Sequence, residues 1–217
     1  MTSRIASLLL SLTLIGPAMA IEEPAYKVLT KEDSMEVREY APFLIAETVV
    51  EGDMDQASNK GFRLIADFIF GNNQAPDTQA AGKIAMTAPV TLEPQSAKIA
   101  MTAPVTMVPQ NPGAVMAEAK AWRVHFVMPS QYTMATIPKP KNSAVTLREV
   151  PAKVFAVHAY TGFNSLSNVQ NKTSELMEWA AKKNMKPLGS PQLSRYDPPW
   201  TLPMFRRNEI MVEVSMP

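Results

Sequence analysis

The side chains that could carry chemistry are few, and their spacing matches none of the common catalytic motifs. The chain has no cysteine, which excludes a thiolate nucleophile and a cysteine-type zinc site. It also lacks the G-x-S-x-G, H-E-x-x-H, P-loop and dinucleotide-binding glycine motifs. A carboxylate such as Glu39 or Glu149 would serve as a general base only if it were buried. These features favour binding over catalysis, and a hydrolase that uses a glutamate and a tyrosine stays open as an alternative.

The two histidines of the chain both lie in predicted strands. His158 alternates with Ala156 and Tyr160, which is typical of a histidine in the core or at a strand edge. His125 alternates with Arg123, which predicts a side chain that points to solvent. We therefore assign no metal site to either histidine. Arg207, before the last strand, is expected in a charged turn or an internal salt bridge.

A nine-residue phrase, KIAMTAPVT, occurs twice, at residues 83–91 and 98–106. Its larger apolar residues alternate with lysine and threonine, which is the period of a half-buried β-strand. Its proline cannot donate a ladder hydrogen bond, so each copy is expected at a strand end or a sheet edge. We interpret the second copy as a tandem duplication that lengthens an edge hairpin without adding chemistry.

Residues 1–20 have the organisation of a secretory signal peptide. Arg4 supplies the positive charge, residues 5–15 form an uncharged apolar run, and Ala18-Met19-Ala20 offers small residues for cleavage. No apolar run reaches the roughly 18–20 residues of a transmembrane helix. We therefore expect an exported protein, periplasmic or extracellular, in which residues 21–217 form a single domain without an integral membrane segment.

The net charge and the length of the chain further restrict the classes of function that it can have. Removal of Arg4 with the signal peptide lowers the formal net charge from +1 to zero, and the remaining charges are scattered. A nucleic-acid-binding protein would show a basic patch or stripe, so nucleic acid is excluded as an expected partner. The remaining chain is long enough for one sizeable core.

Apolar periodicity predicts two helices, Asp53–Phe70 and Ser165–Lys183, among β-strands. Leu64 and Leu176 lie on their apolar faces and are expected to be buried. Residues 187–203 contain several prolines and are expected to form a loop. The strands are predicted at 27–30, 35–40, 43–50, 122–128, 145–150, 154–160 and 210–214.

The second half of the chain repeats the first at an offset of 110 residues. Val37-Arg38-Glu39 falls on Leu147-Arg148-Glu149, and Gly52 falls on Gly162 before each helix. Two such units, each with one apolar helix face and one apolar sheet face, must share a core. The pattern predicts an α+β fold in which a curved antiparallel sheet or barrel carries two helices.

Four motifs occur in a distinctive order: Val37-Arg38-Glu39-Tyr40-Ala41-Pro42, the KIAMTAPVT phrase, Tyr196-Asp197-Pro198-Pro199, and Arg207-Asn208-Glu209 before the final strand. In this order they resemble the SOUL haem-binding protein family, from about Tyr26 to Val214. The resemblance implies a distorted antiparallel β-barrel of two pseudo-symmetric halves with two flanking helices. It also implies non-covalent binding of haem or another tetrapyrrole, without enzymatic chemistry.

The resemblance implies a place for the ligand, an apolar groove along the first helix with basic side chains at the propionates. In this chain the groove residues are Phe62, Ile65, Ala66 and Ile69 for the apolar wall, and Lys60 and Arg63 for the propionates. Glu39 stands where some members have a proposed axial histidine, so histidine ligation is not expected there. The expected partner is a tetrapyrrole or another amphipathic small molecule. An interaction or stress protein with the same fold is the alternative.

Overall fold

The structure, a computed structural model, describes residues 22–74, 101–110, 116, 119–197 and 200–217. The predicted signal peptide and the first KIAMTAPVT copy lie outside these residues. Within them the chain forms one curled antiparallel sheet, a short two-stranded ribbon and two α-helices. No helix of this part of the chain is long and apolar enough to cross a bilayer.

The helices are α1, Met54–Ile69, and α2, Leu166–Lys182, and a 3-10 turn spans Pro203–Phe205. The strands are β1 Tyr26–Glu32, β2 Met35–Tyr40, β3 Phe43–Glu51, β4 Asn73–Gln74, β5 Val105–Pro109, β6 Ala121–Val127, β7 Lys139–Pro140, β8 Thr146–Val150, β9 Lys153–Thr161, β10 Lys186–Pro187, β11 Gln192–Arg195 and β12 Arg207–Ser215.

The main sheet runs in the order β1-β2-β9-β12-β11-β5-β6-β3-β8, with β10 paired to β12. It curls into a half-barrel, and both helices pack on the same face. Helix α1 covers β3 and β6, and α2 covers β9 and β12. The predicted α+β fold, a distorted antiparallel barrel with two flanking helices, is confirmed.

The two halves of the chain exchange strands. Strand β2 of the first half pairs with β9 of the second, and β8 of the second half pairs with β3 of the first. The 110-residue offset superposes β2 on β8 and β3 on β9. Gly52 and Gly162 both have positive φ, 131° and 111°; Gly52 directly precedes the N-cap Asp53, and Gly162 lies three residues before the N-cap Ser165. The predicted duplication therefore exists as two interlocked halves that complete each other's sheet.

Both helices begin and end within one residue of their predicted bounds because their caps are encoded locally. The Asp53 carboxylate accepts hydrogen bonds from the backbone N–H groups of Asp55 and Gln56, and the Ser165 hydroxyl accepts one from Asn168. Leu176 is fully buried, as predicted. Leu64 is only half-buried, although it packs against the core, so the expectation of a fully buried leucine there is wrong.

Two local predictions after α1 and α2 need correction. The described part of the second KIAMTAPVT copy leads into β5, and Pro104 precedes that strand directly, as expected of a strand end. However, β5 lies between β11 and β6 inside the sheet, so this copy does not lengthen an edge hairpin. The predicted loop at 187–203 contains β11, Gln192–Arg195, because prolines flank this short strand without interrupting it.

Side chains of the sheet alternate between a face covered by the helices and an inner face. Val37, Ala156 and Ile210 lie in the main core beneath the helices. Glu36, Arg38 and Tyr40 alternate with them on β2 and point to the other face. Side chains from β2, β3, β5, β6, β9, β11 and β12 meet there around one small cavity, so this face is the inside of the half-barrel.

Candidate functional site

Helix α1 positions the six residues that were expected to bind a tetrapyrrole. Ile65 and Ile69 are fully buried and Ala66 is nearly so, whereas Phe62 is 38% exposed. Ile65 and Ile69 are packed into the core beneath the helix, which leaves them no surface to offer to a ligand. They therefore belong to the core and not to the wall of an open groove.

An apolar stripe does remain open along one edge of α1. Phe62, Ala66 and Phe70 follow one another at intervals of four residues, so they lie one above the other on the helix surface. Phe70, which follows the last helical residue, is 57% exposed. The phenyl ring of Phe62 is anchored by the ring of Phe126, with 5.6 Å between the centroids. Ala66 thus forms the floor of a shallow notch between two exposed rings.

The cations of α1 are divided between its two sides. Arg63 is exposed and its Nε donates to the carbonyl oxygen of Asn59 at 3.2 Å, so its guanidinium is held close to the stripe. Lys60 lies about 200° around the helix from Phe62, two residues at about 100° each, and cannot share a site with it. The Asp67 carboxylate accepts a hydrogen bond from Asn72 Nδ2 at 2.5 Å. Among the described residues neither Lys60 nor Arg63 forms an ion pair.

A buried charged cluster occupies the inside of the half-barrel. Glu209 is fully buried, and both its oxygens lie within 3.0 Å of Arg38 Nη1. The Tyr196 hydroxyl donates to Glu209 Oε2 at 2.6 Å, and Arg207 donates to Oε1 through Nε and Nη2 at 3.1 and 2.9 Å. Arg38 also donates through its Nε to Glu36 Oε2 at 2.6 Å. Every buried charge of the cluster is therefore paired.

Burial and neighbouring charges set the protonation states in this cluster. Burial and the nearby Glu209 carboxylate raise the pKa of the Tyr196 hydroxyl, so it stays protonated and donates. Burial opposes the charge on Arg38, but Glu209 outweighs this effect and the pKa of the guanidinium is raised. Burial likewise opposes the charge on Glu36, and hydrogen bonds from Lys31 and Arg38 outweigh it, so the pKa of Glu36 is lowered.

The two histidines lie on opposite faces of the sheet. His158 is buried near α2, with its Nδ1 3.3 Å from the carbonyl oxygen of Lys172, which agrees with the predicted core histidine. His125 is 9% exposed, so the prediction that it points to solvent is wrong. It faces the inside of the half-barrel, where burial lowers the pKa of its imidazole to about 4. Alternation along β6 could not distinguish this face from solvent, because the curl of the sheet encloses it.

An exposed apolar patch, the loop patch, lies where β9 ends and β12 begins. These ends adjoin because Thr161 pairs with Arg207. Trp200 is 82% exposed, the most exposed large apolar side chain of the described residues. The loop patch consists of Phe163, Leu166, Trp200, Leu202, Met204 and Phe205.

The sequence did not identify Glu209 as a site residue. The carboxylates considered as general bases, Glu39 and Glu149, are both exposed. Glu209 was visible only as a charged residue two positions after Arg207, before the predicted last strand at 210–214. Its partner Arg38 lies 171 positions away and Tyr196 lies 13 positions away, so the cluster could not be assembled from spacing. Among the described residues no group of three or more acidic or histidine side chains is placed to hold a metal ion.

Comparison with known families identifies the chain. The family model described as SOUL heme-binding protein matches residues 21–213, nearly the whole sequence. The chain belongs to the SOUL family. Within this SOUL protein three of the four motifs that carry the resemblance meet inside the half-barrel, since Arg38, Tyr196 and Glu209 each come from one of them. No curated protein matches the sequence.

Solved structures share the fold of this SOUL protein at low sequence identity. The EcmrR C-terminal domain is 14% identical, with a TM-score of 0.55 over 88% of this chain and 99% of that one. EcmrR in a DNA complex is 12% identical, with a TM-score of 0.58 over 84% and 57%. A hydrolase from Listeria innocua is 10% identical, with a TM-score of 0.51 over 86% and 94%. At these identities the likeness concerns the fold alone.

Proposed function

We propose that this protein binds haem or a related tetrapyrrole non-covalently and catalyses no reaction on it. The observation that carries the proposal is membership of the SOUL family across residues 21–213. The exposed rings of Phe62 and Phe70, on either side of Ala66 and beside Arg63, support a place for the ligand. The scattered charges and neutral balance of the chain support a small-molecule partner over a nucleic acid.

The geometry of α1 suits a flat amphipathic ligand. Phe62 and Phe70 are eight residues apart, about 12 Å along the helix axis, and Ala66 between them leaves room for a ring to lie flat. Arg63 is next to this notch and carries a charge that no described carboxylate neutralises, so it is the partner for a propionate. Asp67 would repel a propionate, but its carboxylate already accepts a hydrogen bond from Asn72. The proposed site therefore uses fewer residues than the sequence indicated, because it does not include Lys60, Ile65 and Ile69.

A haem bound in this site has no histidine imidazole as an axial ligand to its iron. The chain has two histidines, and both are buried away from the open stripe. Affinity then rests on contact with two phenyl rings and on one exposed ion pair. Contact of this kind is offset by the entropy lost on association, so binding is modest. The absorption spectrum should lack the signature of an imidazole ligand.

Titration with haemin, followed at the Soret band, tests the proposal with matched variants. Arg63→Glu should weaken binding about two- to tenfold, because it replaces an exposed attraction by a repulsion of similar size. Lys60→Glu makes the same charge reversal on the other side of the helix and should leave binding unchanged. Phe70→Ala should weaken binding, whereas Phe163→Ala, which removes an equally exposed ring in the loop patch, should not.

Two outcomes would contradict the proposed site. Equal effects of Arg63→Glu and Lys60→Glu would mean that haemin responds only to net charge. A loss of binding in His125→Ala or His158→Ala alone, in protein that remains folded, would place the iron inside the core. Absence of any saturable Soret change in the unmodified protein would reject haem as the ligand.

A second candidate function, that of an interaction or stress protein, is favoured by the loop patch. Six exposed apolar side chains between β9 and the first turn of α2 and in the segment before β12 exceed what isolated surface residues explain, and such patches mark surfaces that bind other proteins. If this function is correct, the protein should slow the aggregation of a heat-denatured client, measured by light scattering. Trp200→Ser combined with Phe205→Ser should abolish the effect, and Phe70→Ser on α1 should preserve it.

A further inference from the structure

A small cavity inside the half-barrel adjoins a larger open cleft. The inner one has a volume of about 30 Å³ and is lined by aromatic and apolar side chains together with His125. Such a volume exceeds the roughly 10–15 Å³ that one water molecule requires. A cleft of about 320 Å³ opens beside it, and Pro24, Phe43 and Val127 line both. The main residues of the inner cavity are Tyr40, Phe43, His125, Phe155, Tyr196 and Met211.

Residues 22–25, the N-terminal segment, line the outer cleft, and Pro24 lines both spaces. The Ala25 carbonyl oxygen accepts a hydrogen bond from the Ala41 N–H at 3.3 Å. The Glu23 carboxylate accepts two hydrogen bonds from Arg207 Nη1 at 3.0 and 3.1 Å. Glu22 accepts hydrogen bonds from the backbone N–H groups of Ser130 and Ala103 at 2.8 and 3.1 Å. The Glu23 and Arg207 side chains are each more than a third exposed, and an ion pair of that exposure is weak. An external group can therefore displace this segment.

The N-terminal segment shows which ligand chemistry the space accepts. Glu23 places a carboxylate on Arg207, whose guanidinium lies 3.9 Å from the centroid of the Tyr196 ring. The next residue, Pro24, places an apolar ring against both cavities. A carboxylate followed by an apolar body is the pattern of an amphipathic acid.

One residue that lines the inner cavity, His125, has a buried polar atom without a hydrogen-bond partner among the described residues. This atom is the Nδ1 of its imidazole. Buried polar groups in folded proteins are nearly always paired, so an unpaired one at a cavity wall indicates a place that a ligand or a water molecule fills. This observation is independent of the ion pair at the rim.

We propose that the inside of the half-barrel is a second ligand site, separate from the outer stripe of α1, for a small amphipathic carboxylic acid. The ligand carboxylate replaces that of Glu23 on Arg207. Its apolar chain enters the two adjoining spaces that Pro24 lines, next to Tyr40 and Phe155. The site goes beyond the tetrapyrrole function and does not depend on it.

Calorimetric titration of the purified protein with dodecanoate, below its micelle concentration, tests the ligand class without any substitution. Dodecanoate should bind at one site. Dodecanol and dodecylammonium, which share its chain but lack the carboxylate, should bind at least tenfold more weakly. Equal binding of all three would overturn the proposal, since the carboxylate would then have no role.

Substitutions test the site itself. Glu23→Gln should tighten dodecanoate binding about two- to fivefold, because the competing exposed ion pair is removed. Gln192→Phe, at the half-buried rim of the inner cavity, should weaken it at least tenfold by filling the space. Glu39→Gln, an equal charge change at an exposed position of β2, is the control and should have no effect. Unchanged affinity in both Glu23→Gln and Gln192→Phe would exclude the inner site.

Haemin distinguishes the two proposed sites. Saturating haemin should leave dodecanoate binding unchanged, and Arg63→Glu should weaken haemin binding alone. One-for-one displacement of dodecanoate by haemin would show that there is a single site and would overturn the proposal of a separate one. Failure of haemin to bind, with dodecanoate bound as expected, would reject only the tetrapyrrole function.

Discussion

At the residue scale the protein concentrates unusual environments inside the half-barrel. Arg38 and Glu209 are buried and pair with each other, and the half-buried Tyr196 donates to Glu209, whereas His125 is buried without a partner for its Nδ1 among the described residues. Removal of one partner from a buried ion pair leaves an uncompensated charge, which costs about 3–5 kcal/mol. The cluster therefore stabilises the inner face of the sheet, whereas His125 on the same face is a buried polar residue whose Nδ1 has no stabilising partner among the described residues.

His125 should make the stability of the protein depend on pH in the mildly acidic range. Burial lowers the pKa of its imidazole to about 4, from the ordinary value of 6.5 that the unfolded chain has. The unfolded state therefore takes up a proton at a higher pH than the folded state does. Stability should be complete above about pH 6.5 and should fall by about 3 kcal/mol as the pH is lowered to about 4.

Urea unfolding across that range measures this loss. His125→Gln cannot be protonated, so its free energy of unfolding should change less between pH 6.5 and 4 than that of the unmodified protein. His158→Gln is the control for the other buried histidine. A pH dependence that persists undiminished in His125→Gln would show that this side chain is solvated in solution.

At the scale of elements, the contact between α1 and the sheet depends on a missing side chain. A Cβ atom at Gly61 would lie 2.6 Å from the Cβ and Cγ2 atoms of Val124 on β6. Non-bonded carbon atoms essentially never approach so closely, so the glycine allows the helix to lie directly on the strand. This close approach positions α1 and, with it, the exposed edge that carries Phe62 and Arg63.

Gly61→Ala should destabilise the protein, although alanine is the better helix former. The gain in helix propensity is about 1 kcal/mol, and the overpacking against Val124 costs about 1–3 kcal/mol. In a Val124→Gly background, which lacks the Cβ atom as well as both Cγ atoms, the same substitution should become neutral or stabilising. Chemical denaturation of the four proteins of this double-mutant cycle measures the reversal. Equal effects of Gly61→Ala in both backgrounds would mean that the helix shifts to avoid the contact.

At the scale of the whole molecule, the exchange of strands makes each half incomplete without the other. The pairing of β2 with β9 and of β8 with β3 joins distant parts of the chain across the sheet. The main core likewise draws residues from both halves and both helices. Neither half can bury its apolar faces alone, so we expect a single cooperative unit.

Cooperative unfolding can be checked with probes in the two halves. Trp122 is buried in β6, and Trp179 lies in α2 with its Nε1 bonded to Glu32 on β1. Two variants, each with Trp200 replaced and only one of these two tryptophans retained, should unfold at the same urea midpoint once corrected for any shift seen by circular dichroism. Midpoints that still differ after this correction would show that the halves unfold independently.

Export remains a prediction for the whole chain, because residues 1–20 lie outside the described structure. Cleavage after Ala18-Met19-Ala20 should yield a protein that begins at Ile21. Intact-mass spectrometry of material from the periplasm or culture medium of an exporting host measures this directly. Recovery of an uncleaved Met1 in the membrane fraction would contradict it.

The sequence by itself determined both helices, most of the long strands and the family. Helix caps at Asp53 and Ser165, apolar periodicity and the 110-residue repeat are local or regular signals, so they predicted both helices and the α+β fold. The described strands deviate mostly at their ends, where pairing partners decide the last residue. The family motifs were also visible, because they are contiguous in the chain.

Only the tertiary structure decided which side of each element is open. Helical spacing placed Ile65 and Ile69 beside Phe62, but packing on β3 and β6 buries the former two. Strand alternation placed His125 opposite the core, and the curl of the sheet made that side an interior. The Arg38, Tyr196 and Glu209 cluster joins residues up to 171 positions apart. The periodicity of a sequence predicts which face of a helix or strand carries a residue. Only the packing and curvature of the assembled sheet determine whether that face is exposed or buried.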